Sequence, residues 1–248
     1  MSRISRDAMT QSNGVEDSLD FLVERNTGLV LAFDPLIVAP LIASGIVDGG
    51  YEPTEAVLAP RVVEDGDRVL ELGAGIGFIS AVICTQRRPT SYLAVEANPR
   101  LMPLIASTHR RNHIEGVELL QAVVTSDPAA LKAGSVPFLL EDEFWAARIP
   151  LGAEPASTSV PTASLNTILR TRAITVIIAD IEGGEASLFD DADLSGVRSI
   201  LIELHPELIG ASAVARVSSL LHLQGLIYDA DRSSGEVATF TRDLLVQF

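Results

Sequence analysis

The chain has 248 residues, enough for one large α/β domain with a substantial core. It carries 33 Asp and Glu against 18 Lys and Arg, a net charge of −15, and such a surface repels phosphate backbones, so nucleic acid is not an expected partner. The single cysteine, Cys84, leaves no internal disulfide and suits a reducing, cytoplasmic compartment.

Residues 1–14 are polar, with no apolar run of a secretory signal, and are expected to be loosely held. Residues 15–25, 35–44 and 54–59 read as helices, giving an N-terminal helical extension or cap over 1–60 ahead of a main domain at 61–248. Residues 29–47 are apolar, but Asp34, Pro35 and Pro40 interrupt them, so no membrane span is expected. A lid over a pocket and a homodimer contact both remain open for this segment. From residue 68 strands and helices alternate: strands at 68–72, 92–96, 117–124, 174–179 and 199–204, helices at 76–86, 99–112, 164–170, 184–189 and 211–224, and closing strands at 226–229, 238–241 and 244–248. Residues 126–160, rich in Pro and Gly, read as irregular. The alternation predicts a mostly parallel sheet with helices on both faces, which binds ligands beyond the carboxyl ends of its strands.

The first motif is Glu71-Leu-Gly73-Ala74-Gly75-Ile-Gly77-Phe78, an apolar strand ending on an acid and a glycine turn. Phe78 stands where a dinucleotide turn would have its third glycine, and a carboxylate beneath a diphosphate would be repelled. An acid beside a cationic, phosphate-free nucleoside is favourable, so S-adenosylmethionine is the expected cofactor and S-adenosylhomocysteine its product. Glu96, closing the next strand ahead of Ala97 and Asn98, is placed to grip a ribose; adenine is then expected near Ala122 and Val123. The second motif, Asp180-Ile-Glu182-Gly-Gly-Glu185, follows the fourth strand. Asp180 can reach cofactor or acceptor, Glu182 can serve as a general base, and Glu185 suits the first turn of a helix. Third comes Glu203-Leu-His205: the imidazole either takes a proton from an acceptor hydroxyl or is simply bonded within a loop. His109 and His113 have helical metal spacing but lack a zinc-protease glutamate and read as surface. An acid cluster such as Asp180, Glu182 and Glu203 could hold a divalent cation, but nothing in the sequence demands one.

These residues together resemble the FkbM family of S-adenosylmethionine-dependent methyltransferases, over roughly residues 50–206. The resemblance rests on Tyr51-Glu52-Pro53, the Glu71–Phe78 turn, Glu96-Ala-Asn-Pro99, the Asp180–Glu185 signature and Ile202-Glu203-Leu-His205. The family usually has aspartate at Glu71, asparagine at Gly75 and a lysine ahead of the signature, where Ile178 and Ala179 stand here. The resemblance implies a Rossmann-like class I methyltransferase fold, a seven-stranded sheet with a reversed final strand, and O-methylation of a small-molecule acceptor, a sugar or natural product. Methylation of nitrogen or a carboxylate, a nicotinamide oxidoreductase and a non-catalytic nucleotide-binding protein are the alternatives. Leu29, Phe33, Phe138, Phe144 and Trp145 hint at a partly apolar acceptor.

Overall fold

The computed structural model describes residues 19–140, 147–148, 150 and 154–242. The expected final strand at 244–248, the opening residues 1–14, Phe144 and Trp145 lie outside the described residues. The chain opens on a hairpin, β1 (Asp20–Val23) and β2 (Val30–Phe33), paired antiparallel. From Asp20 on, this stands in place of the helix expected over 15–25. Phe21, Leu22 and Val23 form a continuous apolar run without helical spacing, and Glu24 then closes the turn by accepting from Asn26 N at 3.0 Å and Thr27 N at 2.7 Å. Helices α1 (Pro40–Asp48) and α2 (Pro53–Val62) follow, each opening on proline, whose missing N–H costs nothing in a first turn.

The main sheet contains β3 (Arg68–Leu72), β4 (Ser91–Glu96), β5 (Val117–Gln121), β9 (Val176–Ala179), β10 (Ser199–Glu203), β11 (Ile227–Tyr228) and β12 (Val237–Thr241). Its order is β11-β12-β10-β9-β3-β4-β5. β12 runs antiparallel to both its neighbours and the remaining pairs are parallel, so the sheet is the Rossmann-like kind with one reversed strand. The strand order reverses between β3 and β9, and that switch point opens a crevice at the strands' carboxyl ends. At the opposite end Asp67 accepts from Thr175 Oγ1 at 2.8 Å and Arg198 Nε at 2.9 Å, tying the starts of β3, β9 and β10 together.

The two-residue period of the strands sorts the core. Val69, Tyr92, Ala94, Val176 and Ile178 face one layer with α2, α3 (Phe78–Gln86), α4 (Met102–Arg111) and the hairpin. Leu70, Leu72, Leu93, Val95, Ile177 and Ile200 face the other, with α6 (Leu165–Arg172) and α9 (Ala211–Leu223). Each fully buried Leu, Ile or Val contributes about 1.5–3 kcal/mol. The hairpin belongs to the first layer: Ala32 N donates to Thr108 Oγ1 at 3.0 Å, and Asn112 both accepts from Val30 N at 2.9 Å and donates to Val30 O at 2.8 Å. Leu29 is buried in this layer and Phe33 packs on it, so neither frames an acceptor pocket as expected.

The segment expected to be irregular is partly ordered into α5 (Pro128–Ala133) and a small sheet of β6 (Val123–Thr125), β8 (Thr158–Ser164) and β7 (Ser135–Phe138). Pro137 and Pro161 disguised it. Pro137 lies on an edge strand, and β6 pairs only with the residues after Pro161, so neither proline breaks a two-sided ladder. The short helices α7 (Glu185–Leu188) and α8 (Pro206–Ile209) follow β9 and β10 directly.

Candidate active site

A cavity of about 410 Å³ occupies the crevice at the strand ends, within the range of small-molecule sites. Of the residues expected to bind or react, Gly73, Gly75, Glu96, Ala97, Ala122, Val123, Asp180 and Glu182 line it. Phe138 adds an apolar patch. Glu71, Ala74, Gly77, Phe78, Asn98 and His205 do not line it, and each departure has a local cause.

Glu71 is one residue short of the strand end, so it shares a face with Val69 and points under the helices rather than into the crevice. It is 2% exposed, and burial pushes its carboxyl up to about 8. It meets only a small void beneath the main cavity, beside Glu52, Glu55 and Asp180. Ala74 is buried and its N–H donates to Val95 O at 3.1 Å. Phe78 is fully buried with its ring 5.6 Å from that of Tyr51. Gly77 begins α3 at φ 81, where an added Cβ would sit 3.1 Å from Ile105 Cγ2 and 3.2 Å from His109 Nε2. Gly73 is tighter still, since a Cβ there would meet the Asp180 carbonyl at 1.7 Å. These two glycines admit neighbouring protein rather than a ligand.

Glu96 ends β4 beyond the helix layer. Oε2 accepts from Gly75 N at 2.9 Å and Oε1 from Asn98 N at 2.7 Å. Burial raises its carboxyl to about 7 against the lowering effect of those backbone donors. An ionised carboxylate has about four acceptor sites, so capacity remains for a diol. Asn98, 1% exposed, shapes the loop by accepting from Arg100 N at 3.0 Å.

On the facing wall, His205 is 7% exposed and sits behind the cavity-lining acids. Its Nδ1 is 2.7 Å from Glu185 Oε1, and its Nε2 is 3.7 Å from both Asp180 Oδ1 and Glu182 Oε2. Burial opposes charging of the ring, but the Glu185 bond and the Glu182 and Asp180 charges outweigh it and push the imidazole up to about 10. His205 is therefore an imidazolium at neutral pH, which has no lone pair for an acceptor's proton. Glu185, fully buried, grips this cation rather than merely favouring the helix start. Burial, then the charges of Glu203, Glu52 and Glu182, push Asp180 well above the carboxylate range; Glu182 is raised by burial and partly restored by His205. Asp180, Glu203 and His205 each offer a donor atom within 4.8 Å of the others.

Sequence reasoning gave Glu52 no role of its own. It precedes α2 in a left-handed conformation at φ 42 and lines the cavity; the Tyr51-Glu52-Pro53 run was its only signal. His109 was expected on the surface but is 6% exposed, 2.9 Å from Ser80 Oγ, and lowered to about 4 by burial. His113 lies past the helix end at φ 56, so the two histidines do not form a metal pair. Cys84 packs in α3 as a small apolar group, its thiol pushed by burial up to about 12.

No protein-family model and no curated protein matches the chain. Solved structures similar to it include precorrin-6y C5,15-methyltransferase from Geobacter metallireducens GS-15, with 13% identity, 77% of this chain and 88% of that one covered, and a TM-score of 0.46. M. jannaschii TYW2 in complex with AdoMet matches at 12% identity over 91% of this chain and 87% of that one, TM-score 0.47. Trm5b from Pyrococcus abyssi matches at 12% identity over 89% of this chain but only 54% of its own length, TM-score 0.46. At these scores the likenesses carry no argument about activity. The fold stands on its own strand order. Among the described residues no helix is long and apolar enough to cross a membrane.

Proposed function

We propose that the chain is an S-adenosylmethionine-dependent methyltransferase of the FkbM kind that transfers a methyl group to a hydroxyl of a small molecule. The observation that carries this reading is the Glu96 carboxylate bonded to the Gly75 N–H at 2.9 Å on one side of a crevice whose other side bears Asp180 and Glu182. The donor set fits the cofactor: a diol partner in Glu96, an apolar slot by Ala122 and Val123 for adenine, and carboxylates for a sulfonium and an ammonium. A dinucleotide would bring a diphosphate against those acids.

The cofactor supplies an electrophilic methyl group on sulfur. The residues' part is alignment and proton handling; alignment can contribute up to roughly 7–11 kcal/mol. Glu182 is the base for the acceptor hydroxyl, and Asp180, held toward its protonated form by burial and the neighbouring acids, positions it. Imidazolium His205 orients both by charge. A carboxylate acceptor is disfavoured: Glu52, Glu96, Asp180 and Glu182 line the cavity, against Arg148 as the basic side chain among its described lining residues. The same acids would attract an amine, which keeps N-methylation as the second reading. The acidic surface supports a partner other than nucleic acid, and the single cysteine suits a reducing, cytoplasmic setting.

Calorimetric titration with S-adenosylmethionine, S-adenosylhomocysteine and NAD tests the core of this reading. Binding of the first two and not of NAD is expected; NAD binding alone would overturn it. Methyl transfer assayed with alcohol and amine acceptors then separates oxygen from nitrogen.

A further inference from the structure

We infer that Glu52, on the segment ahead of the main sheet, is a cofactor-binding residue whose carboxylate takes the α-ammonium of the methionine arm. This rests on the proposed reading of the cavity as the site of a sulfonium nucleoside. The sequence pattern offers Glu71 for that task, but Glu71 is sealed beneath the cavity floor. Four carboxylates remain on the wall, and three are engaged. Both oxygens of Glu96 accept backbone N–H groups. Asp180 and Glu182 flank the ring of His205. Among the described residues Glu52 has neither a cationic neighbour nor a backbone donor, only the hydroxyl of Tyr51.

Its position suits the role. Adenine by Ala122 and Val123 and ribose by Glu96 leave the arm at the Gly73–Asp180 end of the crevice. Glu52 stands at that end, bordering both the main cavity and the small void that also touches Gly73 and Asp180. It precedes α2, yet its side chain makes no capping hydrogen bond, so the carboxylate is not spent on the helix. The left-handed backbone that presents it is strained for a residue with a side chain, and such strain gathers where a group must be aimed. The hydroxyl of Tyr51, itself buried, sits against the Glu52 carboxylate and lies 3.3 Å from where a Cβ on Gly75 would be, so it holds Glu52 beside the glycine turn. Burial, with the charges of Glu55 and Glu203, raises the Glu52 carboxyl to about 8 against the lowering effect of the Tyr51 hydroxyl.

The test uses two nucleosides that differ only in the arm. S-adenosylhomocysteine carries the ammonium; 5′-methylthioadenosine lacks the amino-acid arm. Both are titrated calorimetrically into the full chain and into its Glu52→Gln variant. The variant is expected to lose about tenfold or more in affinity for S-adenosylhomocysteine and to keep methylthioadenosine within twofold, which also shows it folded. Equal weakening of both ligands, or no change in either, would overturn the assignment while leaving the cofactor reading standing. If the unaltered chain binds neither nucleoside, the proposed function falls and this assignment falls with it.

Discussion

The two rims of the crevice are built from the same kind of residue and behave differently. At the β3–β4 rim, Glu96 spends its oxygens on Gly75 N and Asn98 N, so its charge is tied into the backbone of the turn. At the β9–β10 rim, Asp180, Glu182 and Glu185 surround the imidazolium of His205, so these acids face a side-chain cation instead of backbone donors. The first arrangement holds shape and suits recognition. The second stores a proton inventory and suits chemistry. A carboxylate at a strand tip thus has no fixed meaning; its neighbours decide whether it is scaffold or reagent.

Gly73→Ala breaks both rims together, because the added Cβ would meet the Asp180 carbonyl at 1.7 Å in a backbone held at φ 83. The expected loss is about 3 kcal/mol or more, read as a large fall in the denaturation midpoint. Glu182→Gln strikes the reactive rim alone. Methyl transfer is expected to slow about 100-fold or more with affinity for S-adenosylhomocysteine nearly kept; an unchanged turnover number would remove Glu182 as a base. Glu96→Ala strikes the other rim, with nucleoside affinity expected to fall about tenfold and the Gly75–Asn98 amides left unpaired.

Two gentler changes sharpen the contrast. Glu185→Gln removes the buried charge behind His205, so the imidazole should titrate lower; NMR titration of that ring reads it, and an unmoved titration would break the charge-clamp account. Glu71 predicts a pH effect. Its folded-state pKa, about 8, lies above its ordinary value of 4.5, so between those values the folded chain holds the extra proton. Stability is therefore present in full at low pH and falls as pH rises through about 8. Glu71→Gln should flatten that slope of melting temperature against pH, and an unaltered slope would assign the effect to other acids.

Much of the sheet was legible because apolar runs bounded by Gly and Asp mark buried strands well; β3, β4, β9 and β10 lie where they were expected. Glu96 and Asp180 were expected at the cavity and line it, since each stands at or just past the last residue of a strand. Glu71 could have been corrected on sequence alone: Leu72 closes the strand, and alternation turns Glu71 to the helix side. The hairpin was hidden because Glu24, which closes its turn, also reads as a helix former. Glu52 was illegible for a different reason. Its place depends on how a segment before the first sheet strand folds back across the crevice, and no local period encodes that. His205's charge was equally out of reach, since it comes from three carboxylates up to 25 residues away in sequence (205 − 180 = 25).

The stitching of the β1–β2 hairpin to α4 has a practical corollary. Someone wishing to trim this protein to a minimal catalytic fragment would naturally cut near residue 60, just before the alternating pattern starts. That cut would strip Leu31, Ala32, Ile46 and Tyr51 from a continuous apolar layer and leave Thr108 and Asn112 without their backbone partners. The fragment should come out of cells as insoluble aggregate, because that layer would face water.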